Sequence, residues 1–248
     1  MSGVILDVNS ISKSYNRILA LSKVGFELNK GDIFGLLGRN GGGKTTLIKI
    51  LTSMISDYSG DITFLNHNLR DKNCLILFKS QIAYLPDKEF LYGNMSALEC
   101  ANFFQDFFQD FSKDKALEIF DRLEISPSKK INTMSKGQAE KVGIALILAR
   151  HVALYILDEP LAGADIISRD EIFFMIKEYC SDNAAIIATH LISNVEPIIN
   201  KAMFLNKKVM AYGSKNKLLE GFSSLEDSFR YYAGNHQIKP QIQAQDTV

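Results

Sequence analysis

Charge of one sign is what the chain most lacks: 28 Lys and Arg stand against 28 Asp and Glu over 248 residues, a formal net charge of zero. That balance leaves no overall basic field of the kind that draws nucleic acid, so no nucleic-acid partner is expected. Cysteine is scarce as well. Cys74, Cys100 and Cys180 lie far apart with no CxxC pair, which argues against a disulfide framework or a zinc site and suits a reducing, cytosolic compartment. Long apolar runs are missing. The longest, "VGIALILA" at 142–149, is stopped by Arg150 and His151, well short of the ~20 residues a helix needs to cross a bilayer. The first residues, "MSGVILDVNS", contain no basic segment leading into an apolar stretch, so no secretory leader is expected. No period of solenoid or propeller length recurs.

What the chain does have is enough apolar material for a substantial core, with 46% hydrophobic residues. Short β-type runs alternate with helical spacing: "VILDV", "VGFEL", "DIFGLL", "DITFL", "IAYL", "ALYIL", "AAIIAT" and "AMFLN" all read as strands. The alternation predicts an α/β fold. Several runs are apolar almost throughout, as central strands covered on both faces should be, while the early ones alternate like an antiparallel sheet. "FLNKKVMAYG" reads as a closing hairpin. Strand signals vanish from about residue 92 to 150, which predicts an inserted α-helical subdomain within a unit spanning 1–222. Within it, "FFQDFFQDF" at 103–111 repeats at helical spacing and is expected to form that subdomain's core. Residues 223–248 are polar and read as a tail.

Chemistry enters with "GLLGRNGGGKTTLIKIL". Gly38, Arg39, Asn40, Gly41, Gly42, Gly43, Lys44 and Thr45 complete a GxxxxGK[ST] pattern between an apolar strand and a helix, and Thr46 follows. In that context backbone N–H groups and the helix start converge on the phosphates of a nucleotide, Lys44 adds positive charge, and the Thr45 hydroxyl ligates Mg²⁺. Farther on, "ALYILDEP" puts an apolar strand beneath Asp158 and Glu159. The first carboxylate is placed to reach the metal shell and the second the attacking water. A third stretch, "TMSKGQAEKV" at 133–142, is a Ser-capped turn opening a helix, which is a second place to hold an anion.

These three elements in this order resemble the ATP-binding-cassette (ABC) ATPases, and the resemblance extends over roughly Val4 to Tyr212. It implies a P-loop NTPase with a RecA-like core, an antiparallel β subdomain and the helical insertion. It also implies that "MSKGQ" is the family's signature, which caps ATP held by an opposing subunit, so that Ser135, Gly137 and Gln138 would grip a partner's nucleotide. By the same resemblance Tyr15 would stack on adenine, His190 would contact the γ-phosphate and hold the water together with Glu159, and Asp165 would lie on the loop crossing between protomers. Three positions depart from the pattern. Asp87, after "YLP", replaces a glutamine that touches Mg²⁺ and water; Lys136 replaces the first signature glycine, at a cost in strain if that glycine were left-handed; "GAD" followed by Ile166 replaces "GLDP".

The implied activity is ATP hydrolysis with Mg²⁺, with Glu159, His190 and Lys44 as the catalytic set and Thr45, Asp158 and Asp87 around the metal. The implied role is the motor subunit of a bacterial-type transporter. With an acidic residue at Asp87 the chain resembles bacterial drug, lantibiotic and peptide exporter ATPases whose membrane subunit is a separate chain, so the expected cargo is a drug, peptide or lipid-like substrate. Such a protein sits on the cytoplasmic side of the membrane, pairs with a transmembrane permease chain, and works as a homo- or heterodimer of ATPase subunits. The alternative is a soluble ABC ATPase with a regulatory or mechanical role.

Overall fold

The computed structural model describes residues 3–71, 74–160, 166–180 and 182–234. Two long strands, β1 (Val4–Tyr15) and β2 (Ile18–Asn29), pair antiparallel and are joined to β4 (Ser59–Phe64) and the short β5 (His67–Asn68) in the order β2-β1-β4-β5. Between β2 and β4 the chain makes β3 (Ile33–Leu37) and α1 (Lys44–Leu51), and β3 sits in a second sheet. That sheet collects β6 (Ile82–Leu85), β7 (Leu154–Asp158), β8 (Ala184–Thr189), β9 (Lys201–Asn206) and β10 (Lys208–Ser214) in the order β10-β9-β3-β8-β7-β6. All neighbours in it are parallel except the closing β9–β10 hairpin.

Strand alternation explains why the central runs look continuously apolar. Along β8, Ala184, Ile186 and Ala188 belong to one hydrophobic cluster and Ala185 and Ile187 to the other, and all five are fully buried. One face packs on α1 and the antiparallel sheet, where Phe26 stacks on Phe34 at 4.9 Å. The other packs on helices. Each such buried branched side chain contributes about 1.5–3 kcal/mol relative to exposure, so the sheet is the stable frame on which both faces hang.

The helical part comprises α3 (Ala97–Phe107), α4 (Lys113–Arg122) and α5 (Lys136–Leu148), preceded by α2 (Leu75–Ser80) ahead of β6. A capping box starts α3: Ser96 Oγ accepts from the Glu99 N–H and the Glu99 carboxylate accepts from the Ser96 N–H. The last turns of α5 are apolar on every side, and Val142 through Leu148 are all buried beneath the insertion. Arg150, just beyond, ties the insertion to the sheet. Its guanidinium donates to both Asp110 oxygens (2.9 and 3.0 Å), to the Ile82 carbonyl (2.9 Å) and to the Ser80 carbonyl (3.2 Å), and it stacks 4.0 Å from the Phe108 ring.

The structure corrects two expectations. The aromatic stripe divides, because α3 ends at Phe107 and Phe108 is extended. Phe104 and Phe108 pack against the core and Phe111 is buried in it, whereas Phe107 stays 68% exposed and stacks with Phe103, which in turn meets the exposed Tyr92. The second concerns the tail. Residues 223–234 are not free chain: after α6 (Ile166–Tyr179), α7 (Ile192–Val195) and α8 (Lys215–Leu219), an amphipathic α9 (Leu225–Tyr232) buries Leu225 and sets Phe229 edge-on to Phe204 of β9. Polar residues on its outer side conceal the two buried apolar residues, Leu225 and Phe229, in the composition. No helix among the described residues is long and apolar enough to cross a membrane.

Candidate active site

The loop leaving β3 is shaped by close backbone neighbours. A Cβ at Gly38 would overlap the Leu205 carbonyl oxygen of β9, and one at Gly42 would lie 2.9 Å from that same oxygen. Gly43 has φ 100°, and a Cβ there would meet Leu21 Cδ2 at 2.7 Å and the Ala20 carbonyl at 2.8 Å. Any other residue would push the loop off its seat between β9 and β2. Gly43 is also the N-cap of α1, so no side chain caps that end, and its first turn carries no acid. The result is a helix start open to an oxyanion, with a cradle that suits phosphate. Lys44 is buried and donates to the Gly38 carbonyl at 2.7 Å. Burial lowers its pKa, against the opposing pull of Glu159, Asp158 and Asp87.

The acidic side arises from strand register. Parallel pairing sets Asp158 beside Ala188, so the chain just past β7 meets the chain just past β8. Asp158 is buried, and burial, then the carboxylates of Asp87 and Glu159, push its pKa up to about 6 despite Lys44. Glu159 adopts φ 50°, with its N–H on the Ala188 carbonyl at 2.9 Å. Its carboxylate accepts from Thr189 Oγ1 at 2.7 Å, from the His190 N–H at 3.1 Å and from His190 Nδ1 at 2.7 Å. A non-glycine residue in the left-handed region is costly, and here three donors hold its side chain. Thr189 went unnoticed in the sequence because it ends an ordinary strand, and only the folded register brings it to Glu159.

Arg39 through Thr46, Tyr15, Asp87, Asp158 and Glu159 line one cleft of about 390 Å³, together with Lys207 from the β9–β10 turn. Gly38 supports the cleft from behind, and His190 reaches it through Glu159. Tyr15 is 44% exposed, and the Lys13 ammonium sits 5.1 Å from its ring centre, held in turn by Asp57 at 2.8 Å. Among the described residues no three His, Cys, Asp or Glu side chains form a self-contained metal site. Thr45, Asp158 and Asp87 line the same cleft, and a hydroxyl with two carboxylates is the kind of oxygen set that suits Mg²⁺, which takes few protein ligands and completes its shell with water and phosphate.

The predicted signature lies elsewhere. Ser135 and Lys136 line a second groove of about 330 Å³ beside Asp87, Asp158 and Glu159, outside the cleft of the phosphate loop. Gly137 and Gln138 belong to the first turn of α5. Ser135 Oγ accepts from the Gln138 N–H (3.3 Å), the Gln138 side chain accepts from the Ser135 N–H (3.2 Å), and Lys129 donates to Gln138 at 2.9 Å. Lys136 is the first helical residue and is not left-handed, so its replacement of glycine carries no backbone strain; its ammonium lies 3.6 Å from Glu140. Asp165 falls outside the described residues.

Comparison with known proteins places this geometry in context. A family described as "ABC transporter" matches residues 21–162, more than half of the chain. An uncharacterized ABC transporter ATP-binding protein of Methanocaldococcus jannaschii is 28% identical, covering 98% of this chain and 88% of that protein. The bacitracin transport ATP-binding protein of Enterococcus faecalis is 28% identical over 78% of this chain and 64% of its own length. Among solved structures, the dimeric structure of a post-hydrolysis ATP-binding cassette bound to ADP and phosphate superposes with a TM-score of 0.75 at 20% identity. It covers 85% of this chain and 99% of the other, which is a likeness of fold.

Proposed function

Since the chain belongs to the ABC transporter family as one of its ATP-hydrolysing cassettes, we propose that it is the motor subunit of an exporter and acts as a nucleotide-sandwich dimer. The observation that carries the proposal is the position of Glu159, pinned by Thr189 and His190 where β7 and β8 end, in the same cleft as Lys44 and Asp158. A carboxylate so fixed can take a proton from a water attacking the γ-phosphate without first reorganising.

In this reading the uncapped start of α1 and the glycine loop receive the phosphates, and Tyr15 receives the adenine face. Lys44 leaves the Gly38 carbonyl for the β- and γ-phosphates. Thr45 and Asp158, with Asp87 nearby, would hold Mg²⁺, which when bound neutralises phosphate charge. His190 steadies Glu159 and faces the γ-phosphate. Ser135, Gly137 and Gln138 serve the nucleotide of a second copy, a role that suits a helix start lying outside the cleft of its own chain's phosphate loop. Asp165 belongs to the crossing between the copies.

Export is supported by the relative named for bacitracin transport and by the acidic Asp87. The exposed rings of Tyr92 and Phe107, with the half-buried Phe103 between them on the insertion, suit docking of a separate permease chain at the cytoplasmic face of the membrane. The test is Glu159→Gln in the purified protein. It should bind ATP, hydrolyse it slowly and collect as a dimer on size exclusion with ATP but not with ADP. Turnover at the wild-type rate would remove Glu159 from the chemistry, and a monomer under all conditions would remove the sandwich. Copurification of a hydrophobic membrane chain, followed by ATP-driven uptake into inside-out vesicles, tests export; uptake only into right-side-out vesicles would reverse the direction.

A further inference from the structure

The turn between β9 and β10 holds a residue that the roles above leave unused. Lys207 has φ 60°, a left-handed conformation in which glycine is favoured. Both of its backbone groups are engaged: its N–H donates to the Gly42 carbonyl of the phosphate loop at 2.7 Å, and its carbonyl accepts from the Ser22 N–H of β2 at 2.7 Å. A glycine would satisfy both bonds without strain. The side chain present instead lines the nucleotide cleft and is exposed, and among the described residues no hydrogen bond, ion pair or ring contact engages its ammonium.

Position within the cleft narrows what this cation would meet. The carboxylates Asp158 and Glu159 stand at the end of β7, close enough to Lys44 to act on its charge. Lys207 is bonded through its backbone to Gly42 and to Ser22 of β2, the strand whose residues Ile18 to Ala20 line the same cleft with Tyr15. It therefore stands between the adenine end and the phosphate loop. We infer that Lys207 is a nucleotide-binding residue whose ammonium contacts the non-transferred phosphates of the bound nucleotide, and that this contact is the return on its strained backbone. The inference rests on the cleft binding ATP, as proposed above.

The test measures dissociation constants of ATP, ADP and adenosine by calorimetry on the full chain, wild type against Lys207→Met and Lys207→Gly, with thermal unfolding alongside. Loss of one charge-assisted contact should weaken ATP and ADP alike by about 5- to 10-fold in both variants and leave adenosine unchanged. Lys207→Gly should at the same time melt about 1–4 °C higher, since glycine accepts the turn. Three results would overturn the inference: ATP affinity within twofold of wild type in Lys207→Met, equal weakening of adenosine, or a loss for ATP with none for ADP. Wild-type protein that binds no ATP would instead fail the parent reading, so the two failures are separable.

Discussion

Two helix starts in this molecule are built in opposite ways. The start of α1 is left open at Gly43, with no side chain returned to its N–H groups and with Leu21 and the Ala20 carbonyl so close that a Cβ at Gly43 would not fit. The start of α5 is complete in itself, because Ser135 and Gln138 exchange hydrogen bonds and Lys129 braces Gln138. A helix start left open is a binding site waiting for its own ligand, whereas one already capped is stable alone and can afford to face solvent until a partner arrives. The asymmetry is one of donors: the start of α1 leaves its N–H groups without a side-chain partner, whereas the start of α5 has already engaged the Gln138 N–H.

The sharpest way to break this comparison is through the chemistry attached to the open end. Glu159→Gln should slow turnover about 10²–10⁴-fold, equivalent to about 3–5 kcal/mol of barrier, with ATP affinity retained; steady-state kinetics together with equilibrium binding check it. Next comes the cradle. Gly43→Ala places a methyl at φ 100° against Leu21 and the Ala20 carbonyl, and should cost about 2–3 kcal/mol in urea unfolding and impair ATP binding as well. If it did neither, the loop would not be as tightly seated as described.

Asp158 supplies a pH test of the same end. Its carboxyl is raised from 3.8 to about 6, so ionisation opposes folding: the penalty is absent below about pH 4, grows between pH 4 and 6, and is complete above. Asp158→Asn should therefore stabilise the nucleotide-free protein by about 1–3 kcal/mol near pH 8 and by nothing measurable near pH 4. Unfolding curves that differ by the same amount at every pH would remove burial of the charge as the cause. At the capped end the effects are smaller. Ser135→Ala should cost about 1 kcal/mol of stability through the lost cap and reduce ATP-driven dimerisation, measured by light scattering, without weakening ATP binding to the monomer. Lys136→Ala, at an exposed and unstrained position, should change stability by less than about 0.5 kcal/mol.

How much of this was legible in the sequence follows from distance along the chain. The phosphate loop is contiguous, so its glycines, Lys44 and Thr45 announce both the loop and its ligand class. The apolar runs likewise announce the α/β frame, because strands covered on both faces must be apolar on both. Thr189 does not announce itself: its hydroxyl matters only because β7 and β8 pair in parallel and bring it to Glu159. Lys207 is hidden in the same way, since only the packing of β9 against the loop shows that its turn is bonded to Gly42. The α9 helix was missed because a few buried residues, Leu225 and Phe229 among them, are diluted by polar neighbours. Lys136 looked strained by analogy with a glycine, yet the first position of a helix asks nothing unusual of its backbone.

The buried guanidinium of Arg150 has a mechanical consequence. It pins the C-terminal end of α5 to Asp110 and to the edge strand β6, while Ser135 lies at the opposite end of the same rod, about 20 Å away at 1.5 Å per residue. A fulcrum at one end makes the other end travel farthest: a tilt of ~10° about Arg150 would swing Ser135 through ~3.5 Å on a lever of that length, far enough to make or break a hydrogen bond while the anchored end scarcely shifts.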